Sequence, residues 1–275
     1  MSKGILVFAY NNTAVDYIAQ AAFLAQRAKE YLDLPVSIVT DDVEYANKIS
    51  KNFDEVIFER SKAITAKSYN NGTMARHKLA FKNDTRPQAY DLSPYDQTLL
   101  LDTDYIIADD TLKHCFDGPN TFMAYKDAYD LAGFRDYSEF KRISDTGVDF
   151  YWATCVYFTK CSSNKTFFDL LRHIQTHWTH YRQIYRLETP VYRNDHVFSI
   201  AIHIMNGFQQ GNFAKKPPGR LFYTTDKDIL HKLEDDEFTI LLENEKFLGQ
   251  YTLAKFKGQS LHVMNKFSLA EHINV

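Results

Sequence analysis

The chain has 275 residues, of which 45% are hydrophobic and 24% charged, a composition typical of a folded globular protein. Ten glycines and seven prolines are too few for a collagen-like, linker-like or low-complexity chain. The formal net charge of -3 gives no global basic field for nucleic acid or anionic lipid, and leaves room only for a local basic patch. Three cysteines are too few for a disulfide framework or a zinc cluster, and they fit a reducing compartment.

The N-terminal third alternates between apolar runs and segments with helical spacing. Strands are predicted at 5–10, 36–40 and 55–59, and helices at 14–32 and 43–51. We expect Thr13 to be the N-cap of the first helix, with Asp16 at the third position of its capping box. This order predicts a parallel α/β sheet, because parallel strands need helical crossovers. Ligands would then bind at the carboxyl ends of the strands.

The remaining elements are predicted with less regular spacing. They are a helix at 73–82, a loop at 83–96, strands near 121–126 and 150–159, helices at 163–186 and 195–206, a mobile basic loop at 208–220, and short strands over about the last 50 residues. Neither an internal repeat nor a linker is visible, so we expect a single domain.

No stretch approaches the run of about 18 apolar residues that a membrane span needs. With no signal peptide visible either, we expect a cytoplasmic protein.

An acidic break interrupts the apolar segment at residues 98–107. Asp102 and Asp104 lie two positions apart at the end of a predicted buried strand, so both carboxylates can approach one cation if the backbone turns there. Mg²⁺ and Mn²⁺ prefer carboxylate oxygens together with the phosphates of a bound nucleotide. The alternative is an ordinary turn at a strand end, where Asp is common.

Five segments together resemble a known family of enzymes. They are Val-Phe-Ala-Tyr at 7–10, Val-Ser-Ile-Val-Thr at 36–40, Lys-Leu-Ala-Phe at 78–81, the acidic motif at 99–107, and Leu-His-Val-Met-Asn-Lys at 261–266. On these segments the chain resembles nucleotide-sugar glycosyltransferases of the GT-A fold, in particular the glycogenin-like and galactosyltransferase group called family 8. It looks like a compact bacteriophage or bacterial member, active in the cytoplasm of the host cell if viral.

The resemblance implies a fold and an activity. The expected fold is α/β, a mixed and mainly parallel sheet flanked by helices, in one GT-A domain over 1–275. Its nucleotide-binding half would span 1–107 and its acceptor-binding half 108–275. The implied activity is metal-dependent transfer of a sugar from a nucleotide-sugar donor, a UDP-sugar, to a hydroxyl group.

The resemblance also implies the metal site. Asp102 and Asp104 would bind Mn²⁺ (or Mg²⁺) and the donor diphosphate, His262 would complete the metal shell, and Lys266 would contact the diphosphate. The spacing from His262 to Lys266 is shorter than the family's, and a glycine that the family carries between them is missing. The alternative for His262 is an ordinary strand histidine.

Further donor-binding residues are expected at the strand ends and ahead of the acidic motif. They are Ala9, Tyr10, Asn11, Asp41, Arg76 and Lys78. The alternative for Arg76 and Lys78 is that both are solvated charges on a helix.

The acceptor side offers three carboxylates: Asp127, Asp130 and Asp195. We favour Asp195 as the catalytic residue, since it opens a predicted helix where the family carries an acidic motif, although Asp at that place is also a common N-cap. An inverting enzyme needs such a base, whereas a retaining one uses the leaving phosphate. The family's Asn-Ser-Gly-Val aligns with residues 153–156, which lack the Asn, so the stereochemistry stays open.

The segment 172–193 combines basic and aromatic side chains. It contains Arg172, Arg182, Arg186, Arg193, Trp178, Tyr181, Tyr185 and Tyr192. Arginines among aromatics hold phosphates and stacked bases, so a modified base in DNA is our favoured acceptor. The alternatives are an amphipathic helix with its aromatic face in the core, and an acceptor that is a surface glycan or a protein.

Other nucleotide-binding classes lack their motifs. Only Gly4 precedes Gly72, so the glycine-rich loops of nucleotidyltransferases and dinucleotide oxidoreductases are missing, and so is a P-loop. A non-catalytic protein that keeps the fold, as a binding or structural protein, is the remaining alternative.

Overall fold

A computed structural model of the chain describes residues 1–62, 65–82, 84–133, 135–247 and 249–273. The strands are β1 (Lys3–Phe8), β2 (Val36–Thr40), β3 (Glu55–Phe58), β4 (Thr65–Asn71), β5 (Ala75–Phe81), β6 (Gln97–Leu101), β7 (Tyr105–Ile106), β8 (Phe122–Tyr125), β9 (Ala128–Asp130), β10 (Trp152–Thr159), β11 (Leu221–Thr224), β12 (Ile229–Glu234), β13 (Glu237–Glu243), β14 (Tyr251–Lys257) and β15 (Leu261–Val263). The helices are α1 (Tyr17–Tyr31), α2 (Val43–Ile49), α3 (Ala89–Leu92), α4 (Ser162–Thr176), α5 (Trp178–Ile184), α6 (Asn194–Met205) and α7 (Lys266–Ala270).

The central sheet has six strands in the order β3-β2-β1-β6-β10-β8. The four strands β3, β2, β1 and β6 are parallel, and β10 runs antiparallel to both β6 and β8. All five residues of β2 are buried, as expected for a strand covered on both faces. The predicted mixed and mainly parallel α/β sheet is therefore confirmed. Strand β6 lies between β1 and β10, so the acidic motif that follows it lies at the middle of one edge of the sheet.

The first helix begins later than the sequence predicts. Its N-cap is Asp16, whose carboxylate accepts a hydrogen bond from the N–H of Ala19 at 2.9 Å. Thr13 is therefore not the cap. The reason is that Asn12 holds the preceding residues in a turn, since its side-chain oxygen accepts from the N–H groups of Ala14 and Val15.

The predicted helix at 73–82 is wrong, because this segment is strand β5. It pairs antiparallel with β4, so that residues 65–81 form a β-hairpin. The hairpin is fastened to the rest of the protein on one face, where the Tyr69 hydroxyl lies 3.0 Å from the hydroxyl of Tyr17, and the ring of His77 lies 4.9 Å from that of Phe267. Helix-forming residues thus adopt strand geometry through contacts with distant parts of the chain.

Two smaller sheets carry the C-terminal half. One has the order β7-β15-β11-β9, and the other is the antiparallel meander β12-β13-β14. In the first, β15 pairs antiparallel with β7, directly after the acidic motif. A second hydrophobic cluster, with Phe238, Ile240 and Leu261 among its buried members, joins these two sheets. The early and late parts of the chain therefore meet at the acidic motif.

The predicted long helix at 163–186 is two helices, α4 and α5. The backbone of His177 leaves the helical region between them. Trp178 then packs against Tyr192, with ring centroids 5.6 Å apart, and its indole N–H donates to the carbonyl of Pro190. Helix α6, Asn194–Met205, lies close to its predicted bounds of 195–206. Among the described residues, no helix is long and apolar enough to cross a membrane.

Candidate active site

The acidic motif forms a tight turn at the carboxyl end of β6. The N–H of Asp102 donates to the carbonyl of Thr154 on β10, and the N–H of Tyr105 donates back to the carbonyl of Asp102. The chain then enters β7. This turn directs the side chain of Asp104 towards the C-terminal segment, whereas the side chain of Asp102 stays 34% exposed.

Three potential metal ligands converge at this turn. Asp102, Asp104 and His262 each offer a ligand atom, and these atoms lie within 4.8 Å of one another. The pairing of β7 with β15 places His262 opposite Tyr105, and the N–H of Val263 donates to the Asp104 carbonyl at 2.9 Å. The structure thus brings together the three residues that the resemblance implied as metal ligands.

The donor set fits a divalent cation. Atoms bound to one ion at about 2.1 Å are at most about 4.2 Å apart, so only a small adjustment of the three side chains would seat an ion. Two carboxylates and one imidazole suit hard or borderline divalent metals. His262 Nε2 lies 3.3 Å from the carboxylate of Asp104, and its Nδ1 is buried without a hydrogen-bond partner among the described residues.

Two cations already hold the carboxylates. Lys266 Nζ lies 2.6 Å from Asp104 Oδ2, and Arg86 Nη1 lies 2.5 Å from Asp102 Oδ1. Burial by itself would raise the pKa of Asp104, but the charge of Lys266 and the contact with His262 outweigh it and hold that pKa well below its usual range. Asp104 is therefore ionised at neutral pH. We call these five residues, Asp102, Asp104, His262, Arg86 and Lys266, the site cluster.

Arg86 was missed by the sequence analysis. It lies in the predicted loop 83–96, whose described part begins at residue 84, and only 5% of the residue is exposed. A short 3-10 turn at Arg86–Gln88, with Pro87 in its first turn, aims the guanidinium at Asp102 and at the carbonyl of Ala153. The only signal in the sequence was an Arg-Pro pair shortly before the acidic motif.

Arg76 and Lys78 lie on the face of the hairpin that is turned away from the site. Lys78 pairs with Ser68 and Arg76 with Asn70, and both basic residues are exposed. The opposite face carries Tyr69, which contacts α1. The structure does not bring Arg76 or Lys78 together with the acidic turn, and their role in donor binding stays a prediction.

The residues predicted at the strand ends have structural partners. The side chain of Asn11 donates to Asp16 and accepts from the N–H of Ile18, which fixes the entry into α1. Asp41 forms an ion pair with Lys82 at 2.7 Å. Ala9 and Tyr10 are buried after β1, and burial raises the pKa of the Tyr10 hydroxyl.

Asp195 lies beside the site cluster, at the start of α6. Its Oδ1 accepts the N–H of Ala153 at 3.0 Å, while the carbonyl of Ala153 accepts from Arg86. One peptide residue thus connects Asp195 to the guanidinium that holds Asp102. Burial would raise the pKa of Asp195, but the charge of Arg193 and the Ala153 N–H outweigh it and lower that pKa. The carboxylate is ionised and close to the acidic turn.

The other two acceptor-side carboxylates are placed differently. Asp127 is exposed after β8. Asp130 is buried with Arg135 and Asp228, and Arg135 donates to both carboxylates at 2.5 to 2.8 Å. We call these three residues the buried cluster.

No family model and no curated protein matches the sequence. Solved structures with a similar backbone include glycosyltransferases. A structure of the galactosyltransferase LgtC with donor and acceptor sugar analogues is 15% identical, with 73% of this chain and 69% of that one covered and a TM-score of 0.43. An active-site mutant of LgtC gives 13% identity, 72% and 68% coverage and a TM-score of 0.44. The glycosyltransferase GlyE of Streptococcus pneumoniae TIGR4 gives 16% identity, 74% and 43% coverage and a TM-score of 0.41.

Proposed function

We propose that the protein is a metal-dependent glycosyltransferase that moves a sugar from a nucleotide-sugar donor, a UDP-sugar, to a hydroxyl acceptor. The observation that carries this proposal is the convergence of Asp102, Asp104 and His262 at the carboxyl end of a central parallel strand. In sheets of this type, that edge is where ligands bind. Within the single domain proposed for 1–275, residues 1–107 would supply most of the nucleotide site and 108–275 the acceptor site.

The three ligands would hold Mn²⁺ or Mg²⁺ between the protein and the donor diphosphate. Bound there, the ion would neutralise charge that develops on the leaving diphosphate. Lys266 would exchange its contact with Asp104 for a phosphate oxygen, since its ammonium lies 2.6 Å from that carboxylate. Arg86 would keep Asp102 oriented through its ion pair.

Asp195 is the residue proposed to act at the acceptor. It is ionised, partly exposed and linked through Ala153 to Arg86, which supports a position beside the sugar that is transferred. As a base it would take the proton of the acceptor hydroxyl, the role that an inverting reaction requires. In a retaining reaction it would instead stabilise positive charge that develops on the donor sugar.

For the acceptor, a polar cavity supports a glycan. The cavity measures about 350 Å³, and Asp149, Tyr151, Ser199, His203 and Asn206 are among the residues that line it. His203 follows Asp195 by eight residues on α6, which is about 12 Å along the helix axis. Amide, hydroxyl and carboxylate groups beside an aromatic ring suit the hydroxyls and the apolar face of a sugar.

DNA as an acceptor stays a prediction from the sequence. Most arginines of the segment 172–193 have acidic partners nearby: Arg172 with Asp91 and Asp169, Arg186 with Asp145, and Arg193 with Asp195. Such pairs reduce the positive field that would attract a phosphate backbone. Of the two acceptors, we therefore favour the glycan.

Calorimetry tests the donor site. UDP and three other nucleoside diphosphates are titrated into the folded protein, with and without Mn²⁺. We expect binding of UDP that requires the metal. Absence of binding by all four would contradict the proposal and favour a non-catalytic protein that keeps the fold. Metal-dependent binding without hydrolysis or transfer of any UDP-sugar would favour a binding protein over an enzyme.

A further inference from the structure

The hairpin of β4 and β5 carries one lysine towards the site. In the pairing of the two strands, Lys67 lies opposite Leu79 and therefore on the same face as Tyr69 and His77. That face contacts the body of the protein, through the hydroxyl pair of Tyr69 with Tyr17 and the ring contact of His77 with Phe267. Lys67 is exposed on this face, and the contact of His77 with Phe267 places the face next to the segment that contains Lys266.

The hairpin is held firmly in this position. Asn70 donates to Asp226 through its N–H and through its side chain, both at 3.0 Å. At the turn, Thr73 donates to the hydroxyl of Tyr251 at 2.9 Å. At the base of β5, the Asn12 side chain donates to the carbonyl of Ala80. These hydrogen bonds to Asp226, Tyr251 and Asn12 fix the position of the hairpin, and with it the position of Lys67.

The ammonium of Lys67 has no carboxylate of its own. Among the residues that the structure describes, it forms no ion pair within 4.0 Å, and its Nζ lies 5.0 Å from the ring centroid of Phe81 and 5.4 Å from that of Tyr69. Two further cations, Lys266 and Arg193, act on it more strongly than the carboxylates of Asp104 and Asp195. Desolvation and these cations lower the pKa of Lys67 to about 8.

Lys67 is repelled by two other cations and pairs with no carboxylate of the described residues. This arrangement favours binding of an anion that is not part of the protein. The two carboxylates nearby, those of Asp104 and Asp195, already pair with Lys266 and Arg193 and not with Lys67. Lys67 is exposed, so a ligand can reach its ammonium. An anionic group bound there would offset the repulsion of Lys67 by Lys266 and Arg193.

We propose that Lys67 binds a phosphate group of the donor diphosphate, as a further binding residue supplied by the inner face of the hairpin. This inference rests on the proposed function, because it takes the diphosphate as the anion beside Asp104. Lys67 would contact the diphosphate from the hairpin. It would thereby hold the leaving group after the bond to the sugar has broken.

The test compares five proteins by calorimetry with Mn²⁺ present: wild type, Lys67→Gln, Lys67→Arg, Lys78→Gln and Lys48→Gln. Lys48 is an exposed residue of α2 and controls for the loss of one positive charge. We expect Lys67→Gln to weaken binding of UDP and of inorganic pyrophosphate about tenfold, the usual size of one charge-assisted hydrogen bond. Lys67→Arg should retain most of the affinity, and Lys48→Gln should match wild type.

Several results would overturn the inference. Equal UDP affinity of wild type and Lys67→Gln would do so while leaving the proposed function intact. A loss for UDP but not for pyrophosphate would move Lys67 away from the phosphates. An equal loss in Lys78→Gln would show that the outer face of the hairpin binds the donor. If wild type bound pyrophosphate but no nucleoside diphosphate, the proposed function would fail, and a tenfold loss in Lys67→Gln would still support an anion site.

Discussion

Two clusters in this protein combine carboxylates with cations, but they differ in how many of their polar groups are paired within the protein. In the buried cluster, Arg135 uses its Nε and both terminal nitrogens on Asp130 and Asp228. Asp228 also accepts from the N–H groups of Thr225 and Glu243. In the site cluster, Asp102 pairs with Arg86 alone among the cations of the described residues, and 34% of its side chain is exposed.

The difference shows how a structural charge cluster can be distinguished from a binding site. The buried cluster is closed, since its side chains are at most 5% exposed and its hydrogen-bonding groups are used within the protein. The site cluster is open at Asp102, leaves the Nδ1 of His262 without a partner among the described residues, and lies beside the unpaired ammonium of Lys67. Unused polar groups at a ligand-binding edge indicate a place for something else.

The largest effect is expected from opening the buried cluster. Arg135→Met leaves two carboxylates buried without a cation, so the free energy of unfolding should fall by about 3–5 kcal/mol. Urea unfolding measures this loss. The control is Lys141→Met, which removes an exposed ion pair with Asp136 and should cost less than about 1 kcal/mol. A small loss in Arg135→Met would contradict the view that this cluster is structural.

The next effect separates the two carboxylates of the acidic turn. Asp102→Asn removes a metal ligand from a partly exposed position, so metal-dependent binding of UDP should weaken about 100-fold. Its free energy of unfolding should fall less than that of Asp104→Asn, because the buried Arg86 keeps the carbonyl of Ala153 as a second partner. Asp104→Asn should weaken binding as much and also destabilise the fold, since it leaves Lys266 almost buried without its partner.

Calorimetric binding and urea unfolding of both variants check this contrast. Unchanged metal-dependent binding in Asp104→Asn would remove the central assignment of the site. Equal stability of the two variants would show that the site cluster is as open at Asp104 as it is at Asp102.

A smaller effect concerns pH. Burial and the charge of Arg193 outweigh the attraction of Asp195 and lower the pKa of His196 from 6.5 to about 4. Between these values the unfolded chain takes up a proton that the folded protein does not, so stability falls as the pH falls. From pH 7 to pH 5 this group should cost about 2 kcal/mol. In His196→Gln that part of the pH dependence should disappear, and an identical slope in urea unfolding would contradict the prediction.

The smallest effect is expected for DNA binding. Arg186 pairs with Asp145, and Arg182 donates to the carbonyl of Leu187, so both side chains already make contacts within the protein. A gel shift should show weak DNA binding that differs by less than about threefold between wild type and the variant with Arg182→Glu and Arg186→Glu. A loss of tenfold or more would restore DNA as the favoured acceptor.

The sequence was most informative where the physics is local. Strands β1, β2 and β6 are apolar because both faces of a parallel sheet are covered, so their pattern is visible without the structure. The acidic turn after β6 was recognisable for the same reason. Strand β5 was not, because its Lys, Leu and Ala favour a helix in isolation and its strand geometry depends on pairing with β4.

The site could be predicted only in part. His262 was found because the resemblance implied it, not because its spacing from Asp104 indicates contact. Arg86 reaches the site from a short 3-10 turn, and apart from the Pro that follows it nothing in its local sequence distinguishes it from an ordinary surface charge. Lys67, the residue proposed to bind phosphate, lies on a hairpin that the sequence did not predict. Side chains that converge from separate loops depend on the final packing, which no periodicity encodes.

The ion pair between Asp104 and Lys266 joins residues 162 positions apart in the chain. During synthesis, the central strands can therefore emerge and collapse well before the lysine that compensates Asp104 exists. The nascent protein carries an uncompensated carboxylate at the edge of its sheet until β15 and α7 arrive. Contacts of such long sequence separation form late in folding. Competence to bind ligand should therefore be acquired as one of the last steps of maturation, after most of the hydrophobic core has formed.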